Sequence, residues 1–150
     1  MKMILSRSGL LRFGLAGLAA AGLLVAAPAA FAQAQTFKAG LAAASQVPPN
    51  ASKGTGALIA TYDPATKKLT WSVTYTGLSG PPTAAHFHGP ADAKANAGVV
   101  VPQKDGLASP MKGEATLTDA QAADLLAGKW YFNIHTEANK GGEIRGQVLK

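Results

Sequence analysis

No cysteine occurs anywhere in the 150 residues. That excludes disulfide staples, thiolate nucleophiles, thiolate metal ligands and the lipid-bearing cysteine of a lipoprotein. Charge is also scarce: Asp, Glu, Lys and Arg make up 15% of the chain, so no face can be built from dense ion-pair networks. The formal net charge is +6, but Lys2, Arg7 and Arg12 supply three of those charges and the remaining lysines are scattered. Without a basic stripe there is no nucleic-acid footprint. No serine stands in a Gly-x-Ser-x-Gly turn, no Gly-rich phosphate loop is present and the carboxylates are not paired. The chain therefore reads as non-catalytic. A metal-dependent enzyme of unknown substrate remains only as an alternative, through a metal-bound water.

The one long apolar run stands at the start. Phe13 to Ala27 is Gly, Leu, Ala and Val, preceded by the basic residues above and followed by Pro28 and Ala30-Phe31-Ala32. These are the three regions of a signal peptide over residues 1–32, with a small-x-small cleavage pattern. The run is short for a membrane span, which needs roughly 20 residues. An uncleaved N-terminal anchor is the alternative. Export to the periplasm or the medium is expected, with no membrane attachment after cleavage. Residues 33–150 are then one domain, expected to be monomeric and large enough to bury a core without staples.

That domain reads as strands separated by turns. Thr36 to Ala43 alternates, and Gln46-Val47-Pro48-Pro49-Asn50 breaks the ladder because proline has no donor. Gly56–Tyr62 and Lys68–Thr76 flank the turn Asp63-Pro64-Ala65-Thr66 and are expected to form a hairpin. In the second strand Leu69, Trp71, Val73 and Tyr75 share one face and four Ser/Thr residues the other. Short strands are expected through His86 and His88, at Gly98–Val101 and at Met111–Leu117, with a surface excursion after Pro90. Thr118 and Gln121 match a capping box, Ala122, Leu125 and Leu126 form an apolar stripe, and Gly128 is a stop. This predicts one short connecting helix near 118–127. Trp130, Phe132 and Ile134 alternate with Tyr131, Asn133 and His135; Ile144, Gly146 and Val148 alternate with Glu143, Arg145 and Gln147. The fold class that follows is all-β, an antiparallel β-sandwich with Greek-key-like connections.

The chain has three histidines. His86 and His88 share one face of a strand with Phe87 behind them, and His135 lies on the polar side of its own strand. Pairing the last two strands places Tyr131, Asn133, His135, Glu143, Arg145 and Gln147 on one wet face. If the His86/His88 strand joins that sheet, the three imidazoles meet. Such a set, with no thiolate, suits copper or zinc and leaves one coordination position open. Asn133, Glu143 and Arg145 are the residues expected beside the imidazoles. Glu143 would orient one of them, or instead form an exposed ion pair with Arg145.

Six segments resemble the CHRD domain family, named after chordin: Gln46-Val47-Pro48-Pro49, Gly77-Leu78-Ser79-Gly80, Ala85-His86-Phe87-His88-Gly89-Pro90, Leu125-Leu126-Ala127-Gly128, Asn133-Ile134-His135-Thr136 and Gly141-Gly142-Glu143-Ile144-Arg145-Gly146-Gln147. The resemblance runs from about Phe37 to Leu149 and implies an extracytoplasmic β-rich module. Protein interaction comes with the family name, so a scaffold that meets a protein partner through a sheet edge or loops is the alternative to metal binding. His86-Phe87-His88 is also similar to the His-x-His copper strand of copper/zinc superoxide dismutase. That family needs further histidines and an aspartate for its two metals, whereas this chain has one more histidine, His135, and no disulfide pair.

Overall fold

A computed structural model describes residues 33–150, and the leader reading of residues 1–32 falls outside them. The hairpin forms as expected. β2 (Thr55–Asp63) and β3 (Lys68–Thr76) pair antiparallel with Asp63 opposite Lys68. The Asp63 carboxylate ties the turn, accepting from the Ala65 N–H and the Thr66 hydroxyl, each at 2.9 Å. β1 (Gln35–Ala42) lies along the other side of β2, from Gln35 opposite Tyr62 to Ala42 opposite Thr55. The strand ends there, because Ala43–Ser45 turns into a 3-10 helix. Alternation then sends Phe37, Leu41, Leu58, Leu69, Trp71 and Val73 to one buried face.

The remaining strands are β4 (Pro82–His88), β5 (Val99–Pro102), β6 (Met111–Thr116), β7 (Tyr131–Thr136) and β8 (Ile144–Gln147). All eight described strands join one antiparallel sheet in the order β5-β4-β7-β8-β1-β2-β3-β6. Connections that leave β3 for β4 and return from β5 to β6 give the Greek-key character. The sheet coils until its halves face each other, with the Trp71 and Phe87 rings meeting edge-on at 5.0 Å and 78°. Gln103, just past β5, bridges the open seam to β6. Its Nε2 donates to Lys112 O at 2.8 Å, and its Oε1 accepts from Trp71 Nε1 at 2.7 Å.

α1 (Asp119–Leu126) begins at Thr118 with both halves of the capping box made, and Gly128 at φ 69° leads the chain out of it. Ala122 and Leu125 are buried, but Leu126 is 37% exposed and does not extend the stripe. One residue beyond Leu125 is about 100° further round the helix, which turns Leu126 outward.

A larger departure concerns the second face of β7 and β8. It is not a wet surface: Tyr131, Asn133 and Arg145 are all buried. The stretch after Pro90, read as a solvent excursion, folds back over that face as a roof. Gln147 Nε2 donates to Ala91 O at 2.8 Å, Arg145 Nη2 to Ala95 O at 2.7 Å, and Asn96 Nδ2 to Val47 O at 2.8 Å. Polar residues on the strands thus serve the backbone carbonyls of a loop that has no ladder of its own.

Candidate metal centre

The pleat of β4 sends His86 and His88 to the roofed face and Phe87, which is fully buried, to the core. β7 lies alongside with His88 opposite Tyr131, His86 opposite Asn133 and Ala84 opposite His135. His135 is therefore the diagonal neighbour of His86, within reach for long side chains. Their rings meet, with His86 Nδ1 3.2 Å from His135 Nε2. One ligand atom from each of His86, His88 and His135 lies within 4.8 Å of the others.

The outer ring nitrogens have fixed partners. His88 Nδ1 is 3.0 Å from Ala97 O, and His135 Nδ1 is 2.8 Å from Lys140 O. A carbonyl only accepts, so in the neutral rings each Nδ1 holds the proton and each Nε2 presents a lone pair. Both lone pairs face Asn133 Oδ1, at 3.0 Å from His88 and 2.9 Å from His135. Burial pushes the His86 pKa down, helped by the positive charge His135 and His88 would carry. Burial lowers that of His88 too, against hydrogen bonds from the ring to Ala97 O and Asn133 Oδ1 that act the other way. Both shifts favour the neutral form, the one that ligates metal.

Support for His88 is layered. Its ring stacks on Tyr131 at 4.8 Å and 2°, and the Arg145 guanidinium lies 3.4 Å from the centre of the Tyr131 ring. The Tyr131 hydroxyl accepts from the Ala97 N–H at 3.2 Å and so holds the residue whose carbonyl fixes the imidazole. Tyr131 and Ala97 were not singled out in the sequence as parts of the site. Tyr131 was visible on the polar face, whereas a backbone acceptor leaves no mark in a sequence.

Glu143 and Arg145 do not pair with each other, and neither is exposed. Glu143 touches no imidazole. It accepts from Ser52 Oγ at 2.6 Å, Ser79 N at 2.7 Å, Ser79 Oγ at 2.6 Å and the Thr136 hydroxyl. Asn133, not Glu143, faces two of the three rings. Burial alone would raise the Glu143 pKa, but the hydroxyl and amide donors outweigh it and hold the carboxyl at about 2.

With the folded value below the unfolded one, the stabilisation is complete above about pH 4.5 and is lost as pH falls toward 2. The loss should be about 3 kcal/mol. Urea unfolding at pH 6, 4 and 2.5 should show it in the wild type and a flatter profile in Glu143→Gln. Parallel profiles would remove Glu143 as the acid-sensitive group.

Fold and cluster together define a small all-β module with histidines gathered under a loop on one face of its sheet. Across residues 37–148 the sequence matches the family model of the CHRD domain. The chain belongs to the CHRD-domain family. Comparisons with curated proteins and with solved structures gave no match.

Proposed function

We propose that this chain is an exported, non-catalytic CHRD module that binds one divalent transition-metal ion, copper(II) or zinc, through His86, His88 and His135. The observation that carries this reading is the pair of Nε2 lone pairs turned inward by carbonyls on the far side of His88 and His135. Zinc–nitrogen bonds of about 2.0–2.1 Å put tetrahedral ligand atoms about 3.3 Å apart. His86 Nδ1 and His135 Nε2 already stand at 3.2 Å. Ligation would clip β4 to β7 at a point where only short strands hold the sheet. An all-imidazole set without thiolate favours copper(II) and zinc over softer or harder ions. The leader pattern of residues 1–32 supports export, and mature protein should begin near Gln33 or Gln35 by mass spectrometry.

Calorimetric titration of the metal-stripped protein with copper(II) and with zinc tests the metal reading. One ion per chain should bind at pH 7.5, and affinity should fall once pH drops below the ordinary histidine value of about 6.5. Protonated imidazole cannot ligate, so the sign is fixed. Binding no tighter than an isolated surface histidine gives would favour a protein-interaction module without metal.

A further inference from the structure

Asn133 is 3% exposed, and its side-chain carbonyl points between two imidazoles. Oδ1 lies 3.0 Å from His88 Nε2 and 2.9 Å from His135 Nε2. An amide oxygen only accepts. In the neutral rings the protons sit on Nδ1, facing Ala97 O and Lys140 O, which also only accept. With His86 Nδ1 3.2 Å from His135 Nε2, the four atoms have spacings close to the roughly 3.3 Å expected between ligands round one zinc ion.

Gln46 is 5% exposed with an unpartnered Nε2, and a Cβ on Gly142 would lie 2.5 Å from it and 2.8 Å from Asn133 Nδ2. Turned over, the Asn133 amide would offer Nδ2 to the two ring nitrogens in the absence of an ion; with an ion among them, only Oδ1 can ligate.

We propose that Asn133 Oδ1 is a fourth metal ligand, completing a three-nitrogen, one-oxygen set with His86, His88 and His135. This rests on the metal reading above and replaces its open coordination position with a protein donor. A set of four protein ligands suits an ion that is held rather than one that activates water.

The test uses zinc and cobalt(II) on the wild type, Asn133→Ala and Asn133→Asp, each first checked for cooperative unfolding without metal. Zinc affinity, read by chelator competition, should fall at least about 100-fold in Asn133→Ala, beyond the range usual for residues that merely orient a ligand. The cobalt form of that variant should gain an exchangeable water in proton relaxation. Asn133→Asp keeps an oxygen in place and adds charge, so it should bind zinc at least about tenfold tighter and shift the cobalt absorption bands. If Asn133→Ala does not fold, Asn133→Asp decides alone. Unchanged affinity and spectra in the folded variants would overturn Asn133 as a ligand and leave the three-histidine site standing. A wild type that binds neither ion would overturn both.

Discussion

Arg145→Ala should destabilise the protein by roughly 3–5 kcal/mol, because several buried acceptors lose their donor at once. The side chain is 1% exposed and faces no carboxylate. Nη1 donates to Asn96 Oδ1 at 2.9 Å, and Nη2 to Ala95 O at 2.7 Å and Asp92 O at 3.3 Å, while the flat guanidinium covers Tyr131. Burial pushes its pKa below the ordinary guanidinium value, with Tyr131 acting in the opposite direction. The charge is nevertheless kept, since arginine does not deprotonate in proteins. Arg145→Lys should fail almost as badly, since one ammonium cannot span three acceptors and stack on a ring.

The effect should reach the metal centre. Residues 91–97 would lose their anchor, and with them goes Ala97 O, the acceptor that fixes the His88 ring. Trypsin should cleave at Lys94 faster in Arg145→Ala, and metal affinity should fall about 10–100-fold. Stability within about 0.5 kcal/mol of wild type and unaltered cleavage would mean that the roof holds without Arg145.

Trp130→Ala should cost roughly 3–5 kcal/mol, the usual figure for truncating a large core aromatic. Trp130 is fully buried just before β7, and its ring centre lies 5.7 Å from that of Phe87. Phe87 meets Trp71 on its other flank and Phe132 at 4.9 Å, so the cavity would open directly behind the His86/His88 strand. Gly89 has no side chain to fill it and packs so closely on the indole that a Cβ there would stand 2.5 Å from Trp130 Cδ1. Trp130→Phe should be milder, because Trp130 Nε1 is buried without a partner and its removal relieves one unmet donor. Chemical unfolding of both variants checks the order. Equal losses would show that the indole makes a hydrogen bond the packing conceals.

Period-two alternation is why so much of this fold could be read from the chain. Leu69-Trp71-Val73 and Trp130-Phe132-Ile134 each named a core face, and both tryptophans lie where the pattern put them. The histidine cluster was legible for the same reason, since all three imidazoles stand on the non-core side of strands that turned out to be neighbours. Alternation says which residues share a face, not what covers that face. The roof over β7 and β8 is a short polar stretch held by side chains about 50 residues away, and its composition resembles any solvent-facing loop. The same limit misled the reading of Glu143 and Arg145. Two opposite charges two residues apart suggested an exposed pair, but the donors that occupy Glu143 include Ser52 and Ser79, 91 and 64 residues away.

The central claim is that His86, His88 and His135 act as one ligand set. Copper(II) paramagnetic resonance on the wild type and on each single His→Ala protein tests it most directly. Nitrogen splitting from three imidazoles is predicted in the wild type, dropping to two in every mutant, with His135→Ala as damaging as either substitution on β4. A spectrum left unchanged by His135→Ala would contradict the cluster and reduce the site to a surface His-x-His pair.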